Sequence, residues 1–91
     1  MTKRMRMLIE GQLQGLNFRL NAQEEAQRLS LVGFIRTLSD GRIEIDAQGE
    51  EPQLDTLLEW CQTEPQGKRI SSIFYRFEDS MLSYTEFAVR R

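Results

Sequence analysis

The chain has 91 residues, 40% of them hydrophobic and 29% charged, with 14 acidic against 12 basic side chains and a net charge of −2. That length supports one domain with one core over residues 1–91, and the slight acidic excess argues against a general nucleic-acid binder, which carries a basic stripe. A single cysteine, Cys61, and the absence of histidine exclude an internal disulfide framework, the usual Cys/His metal site and any Ser-His or Cys-His nucleophile pair.

From Arg4 to Gly11 the chain alternates, with Met5, Met7 and Ile9 on one face and Arg6, Leu8 and Glu10 on the other, which predicts a strand. The basic residues around it, Lys3, Arg4, Arg6 and Arg19 against only Glu10, read as solvated strand ends. Gln12 to Asn17 has no period and holds Gly15; it is a loop. Phe18, Ala22, Ala26 and Leu29 then recur at helical spacing, with Glu24, Glu25 and Arg28 toward solvent. Asn21 with Glu24 has the pattern of a capping box, although the helix has an equally good start near Asn17.

Leu31 to Leu38 is apolar and β-branched enough for a second strand. Ser39-Asp40-Gly41 is a hairpin signal, and residues 42–47 alternate with Ile43 and Ile45 inward. Gly49 to Pro52 ends that strand and sets a helix start, with acids favoured in its first turn. Leu54, Leu57, Leu58 and Cys61 form the buried stripe of this second helix; Cys61 reads as a small buried hydrophobe and Trp60 lies off the stripe. After a loop at Pro65-Gln66-Gly67, Ile70 to Phe77 and Tyr84 to Val89 give two strand-like runs around a polar turn at Asp79-Ser80. The order predicts an α+β, ferredoxin-like split βαβ sandwich, an antiparallel sheet with two helices on one face. No apolar run approaches the roughly 18–20 residues of a membrane span, and no apolar segment of signal-peptide length is present, so a cytoplasmic protein without membrane attachment is expected.

The segment Gly11-Gln12-Leu13-Gln14-Gly15-Leu16-Asn17-Phe18-Arg19 is the most informative. A glycine-containing turn between a strand and a helix points backbone N–H groups into one concavity, and the helix start adds positive potential. Arg19 at that entrance can fork onto a phosphate or a carboxylate. Taken alone, the segment also reads as a plain connector with a solvated arginine. It resembles, however, the phosphate loop of the acylphosphatases, Gly-x-Val-Gln-Gly-Val-x-Phe-Arg. The matches are Gly11, Gln14, Gly15, Phe18 and Arg19, with Leu13 and Leu16 standing for valine and Gln12 for the usual arginine. The similarity continues through Ala26, Leu29, Leu31 and Gly33 to Arg36, then Asp40 to Glu44, Gly49, the Pro65 loop and Phe87 to Arg91.

This resemblance implies hydrolysis of the mixed anhydride of an acyl phosphate, with no metal and no cofactor. The phosphoryl oxygens would be held by the loop from Leu13 through Gln14, Gly15, Leu16, Asn17 and Phe18 to Arg19 and by the Arg19 side chain. An asparagine on the second strand would orient the attacking water, in the pattern Gly-Trp-Val-Arg-Asn. Here that pattern reads Gly33-Phe34-Ile35-Arg36-Thr37, so the asparagine position is Thr37. Threonine offers one hydroxyl, closer to the backbone and on a β-branched stem, in place of a carboxamide. Oxyanion binding is therefore expected to persist while hydrolysis is weakened. The expected ligand is a small phosphorylated carboxylic acid or inorganic phosphate or sulfate, with a protein partner left open. Two readings stand side by side: a slow acyl phosphate hydrolase, or a non-catalytic module of the same fold that binds an anion or a protein. Asn17 also reads as a helix N-cap or a positive-φ residue, and Thr37 as an ordinary strand residue.

Overall fold

The alternating first segment forms a long strand, β1 (Thr2–Gly11), in a computed structural model that describes residues 2–79 and 81–90. Met1, Ser80 and Arg91 lie outside the described residues, and with Ser80 part of the expected turn at Asp79-Ser80. After β1 come helix α1 (Phe18–Arg28), β2 (Val32–Thr37), β3 (Ile43–Glu50), α2 (Glu51–Cys61), a short α3 (Gln66–Arg69), β4 (Ile70–Glu78) and β5 (Phe87–Val89). The strands form one sheet in the order β4-β1-β3-β2-β5.

One face of the sheet and the two long helices enclose the core. Met5, Met7 and Ile9 of β1, Ile35 of β2 and Ile43, Ile45 and Ala47 of β3 meet Phe18, Ala22 and Ala26 of α1 and Leu54, Leu57 and Cys61 of α2. The period of two in the strands and the three-four spacing in the helices therefore bury the residues they predict. Burial pushes the Cys61 thiol up to about 12, which leaves it a packed hydrophobe rather than a nucleophile. Trp60 is half-buried and stacks on Phe18, with ring centroids 5.6 Å apart, so it ties α2 to the start of α1.

Four features differ from the sequence expectation. The sheet is antiparallel through β4, β1, β3 and β2, but β5 pairs parallel with β2 (Gly33 with Phe87, Ile35 with Val89), so the whole sheet is mixed. The strand-like run from Tyr84 narrows to Phe87–Val89. The preceding segment instead lies against the sheet face opposite the helices: the Gln48 carboxamide bonds the Leu82 main chain in both directions, at 2.8 and 2.6 Å, and Tyr84 meets Phe34 edge-on. The loop after Pro65 contains the single turn α3, which delivers Arg69 to the start of β4.

The fourth difference concerns charge. Arg4 and Arg6 are half-buried and paired rather than free in solvent; on the face opposite the helices they reach diagonally across to β3. Arg4 makes a two-pronged bond to Asp46 at 2.9 and 2.7 Å, and Arg6 and Arg36 both bond Glu44, the latter at 2.6 Å. Glu44 and Asp46 retain only 3% and 2% of their exposure. A carboxylate so far from water persists only when it is paired and hydrogen-bonded. For Glu44, burial is the largest single influence and opposes ionisation. The bonds from Arg6 and Arg36 and their charges together outweigh it, holding the carboxyl below the usual glutamate range.

A depressed folded-state value contributes stability that is present above the unfolded value, about 4.3 for glutamate, and is lost as pH falls through the folded one. Thermal unfolding between pH 7 and pH 3 should accordingly show a steeper acid loss in the wild type than in Glu44→Gln, which has no proton to bind there. Parallel curves for the two proteins would contradict this account.

Candidate functional site

The β1–α1 connection begins with a close backbone approach. The register of β1 against β4 shifts between Glu10 and Gly11. A Cβ on Gly11 would lie 2.3 Å from the Arg69 carbonyl oxygen and 2.7 Å from Ile70 Cα, so only glycine lets the two chains pass. Beyond it, the Gln12 N–H donates to the Arg69 carbonyl at 2.9 Å, and Arg69 Nη1 donates to the carbonyls of Gln12 and Gln14, each at 3.4 Å. Gly15 then adopts φ +85 with open space where a side chain would be, so its requirement is conformational rather than steric.

Asn17 is the left-handed residue that starts α1, with φ 51 and ψ 40, and its side chain makes no capping bond. Its carbonyl accepts the first helical bond from the Asn21 N–H at 3.0 Å. Asn21 does not cap the helix with Glu24. It lies one turn in, and its amide nitrogen donates to the Leu16 carbonyl at 2.9 Å, bracing the loop from behind. The helix thus begins at Phe18, and its first turn holds no acidic residue.

The backbone donors of this segment are the notable feature. The Leu16 N–H bonds the Leu13 carbonyl at 3.3 Å, whereas the N–H groups of Leu13, Gln14, Gly15, Asn17, Phe18 and Arg19 find no acceptor among the described residues. Arg19 sits in the first turn of α1, where the helix dipole disfavours a cation, and its side chain makes no ion pair or hydrogen bond among the described residues. The loop borders a recess of about 460 Å³ whose lining includes Leu13, Gln14, Gly15, Asn17, Phe18 and Arg19. Thr37, at the exposed end of β2 opposite Ile43, lines the same recess, together with Gly41 of the β2–β3 turn. No carboxylate is among the lining residues. Six unpaired amides, a helix start and one unpaired guanidinium around an acid-free recess suit a small tetrahedral oxyanion.

The structure brings all but one of the sequence-derived site residues to this recess. Leu16 is the exception: its side chain is half-buried and lines a groove on the α1–α2 side, next to Trp60. Arg69 is the residue the sequence did not point to. It follows a Pro-Gly loop more than fifty positions from the segment it supports, and nothing local marks it. Among the described residues, no three His, Cys, Asp or Glu side chains come together as a metal site requires. No helix among them is long and apolar enough to cross a membrane.

A split βαβ sandwich with this loop between its first strand and helix defines the class: a small α+β domain whose glycine-containing loop borders a recess at the start of its first helix. The acylphosphatase family model matches residues 5–89. The chain is 38% identical to an acylphosphatase of Methylococcus capsulatus over 89 residues, covering 98% of this chain and 97% of that protein. Its structure superposes on the crystal structure of the Bacillus subtilis acylphosphatase with a TM-score of 0.87, at 27% identity and 100% coverage of both chains. The Coxiella burnetii acylphosphatase structure gives the same TM-score at 28% identity, covering 98% of this chain and 93% of that one. This chain belongs to the acylphosphatase family.

Replacing Gly15 tests the loop conformation directly. Gly15→Ala should cost about 1–2 kcal/mol of unfolding free energy, since a left-handed backbone is strained for alanine although nothing collides with its methyl group. Gly15→Asn should cost less, and urea unfolding of the two variants checks the order.

Proposed function

We propose that this protein binds the phosphoryl group of acyl phosphates in the loop recess and hydrolyses them slowly to a carboxylate and inorganic phosphate. The observation that carries the reading is the convergence of unpaired loop amides and an unpaired Arg19 on a recess that also contains Thr37. Phosphoryl transfer is accelerated mainly by positioning and by neutralising charge spread over the phosphoryl oxygens. The amides of Gln14 to Arg19 and the Arg19 guanidinium would supply both. In the overall reaction water attacks phosphorus, the bond from phosphorus to the bridging oxygen breaks, and that oxygen leaves with the acyl group as a carboxylate. A carboxylate is stable enough to depart without an acid to protonate it, which suits a recess lined by neither histidine nor a carboxyl group.

Orienting the water then falls to Thr37. Its hydroxyl can hold a water, but it reaches less far than a carboxamide, and a nucleophile misplaced by about 1 Å loses on the order of a hundredfold in rate. This short reach equally favours a second reading, in which the recess binds an anion, or the domain binds a protein, without turnover. Fold and family membership are compatible with either.

Hydrolysis of benzoyl phosphate by wild type, Thr37→Asn and Arg19→Ala separates the two. Wild type is expected to exceed the buffer rate, Thr37→Asn to raise it by up to about a hundredfold, and Arg19→Ala to abolish it. A wild type no faster than buffer, with turnover restored by Thr37→Asn, would establish the binding-only reading instead. Failure of phosphate and sulfate to raise the thermal midpoint would remove the oxyanion site from both.

A further inference from the structure

Arg69 meets the loop from an adjoining recess, which shares Gly11, Gln12, Gln14 and Gly41 with the candidate site. It does not line the candidate site itself, whereas Leu13 and Gly15 do, and its Nη1 faces the carbonyls that immediately precede those two residues. In a trans peptide the C=O of one residue and the N–H of the next point in opposite directions. With the Gln12 and Gln14 carbonyls turned onto the guanidinium, the N–H groups of Leu13 and Gly15 are directed away from it, and both residues line the recess.

We propose that Arg69 is a positioning residue of the oxyanion cradle, holding these two peptide units with their positive ends inward. The Gln14–Gly15 peptide is the one most in need of such a hold. Glycine accepts both orientations of the peptide that precedes it, and Gly15 has no side chain or neighbour within 4 Å of its Cβ position to resist rotation. A rotated peptide would take the Gly15 N–H out of the recess and place a carbonyl oxygen in it, opposite a bound anion. The guanidinium stabilises the productive orientation by meeting both carbonyls with one positive charge, so a second arginine, remote from the ligand, sets the polarity of the site that Arg19 shares. The other tie between the two segments, from the Gln12 N–H to the Arg69 carbonyl, is made by main chain and survives any side-chain replacement. The packing of Gly11 against the backbone of residues 69 and 70 survives as well. Side-chain variants at Arg69 therefore isolate the guanidinium from the fold.

This inference rests on the reading that the recess takes a phosphoryl group, and the test separates the two claims. The probe is inorganic phosphate, titrated into the folded protein and followed through the backbone amide resonances of Leu13 and Gly15. Wild type should bind, with both resonances shifting. Arg69→Met keeps the aliphatic stem but has no donor. It should weaken phosphate binding about tenfold, the order of one charge-assisted hydrogen bond, at an unchanged phosphate-free thermal midpoint. It should also alter the nuclear Overhauser contact between Gln14 Hα and the Gly15 N–H, the signature of peptide rotation. Arg69→Lys, which retains a cation and can reach either carbonyl, should recover part of the affinity. If wild type binds and Arg69→Met binds equally well, the positioning role is wrong while the functional reading stands. If Arg69→Met loses affinity only in proportion to a lowered midpoint, with no recovery in Arg69→Lys, the role is merely structural and the proposal again falls. If wild type does not bind phosphate and neither resonance moves, the functional reading fails and this inference fails with it.

Discussion

Glu44 and Asp46 stand side by side on β3 with their carboxylates almost entirely out of water, and three arginines from two neighbouring strands close over them. Removing one member of such a pairing leaves a buried charge uncompensated, at a cost of about 3–5 kcal/mol. The arginines and the carboxylates therefore specify which residue lies beside which. A slip of one position between β1 and β3 would put Arg4 and Arg6 into the core and Met5 and Met7 outside it. Both faces of the sheet thus enforce the same register, one through methyl and sulfur packing and the other through ion pairs. Arg36, which bonds Glu44, is the residue before Thr37, so the same network that fixes the sheet also fixes the strand end from which Thr37 reaches the recess.

The loop departs from good local practice in several respects at once. A cation opens a helix where the dipole repels it, two residues hold left-handed backbone, and consecutive amides go without acceptors. Sequences that satisfy local rules nearly everywhere tend to break them where function requires it. Here every departure serves one arrangement, a concavity of positive partial charge, and each is supported from outside the loop: Arg69 and the glycine contact on one side, Asn21 and the Phe18–Trp60 stack on the other. Thr37 is different in kind. It is comfortable in a strand and breaks no rule, and it brings one hydroxyl to the recess where the family motif has a carboxamide.

Much of the fold was legible from periodicity. Met5, Met7 and Ile9, the isoleucines of β3, and the Phe18–Ala22–Ala26 and Leu54–Leu57–Cys61 stripes all bury the face their spacing indicates. Asp40-Gly41 makes its turn with Gly41 at φ +92 and the Asp40 carboxylate accepting from the Arg42 N–H. The parallel pairing of β5 with β2 was not legible, because three residues carry too little pattern to reveal a direction. Nor was the pairing of Arg4 and Arg6, whose partners lie about forty residues away.

The sequence by itself determined the elements, the single core and the loop with its glycine and arginine, because these follow from local spacing and from steric limits that a residue carries with it. It also aligned Thr37 with the asparagine of the family motif. Only the tertiary structure decided that Thr37 and the loop border one recess, that Leu16 turns away from it, and that Arg69 meets the carbonyls of Gln12 and Gln14. Those outcomes depend on contacts between segments far apart in the chain, and the direction in which a peptide unit points is set by what meets its carbonyl rather than by the residues on either side of it.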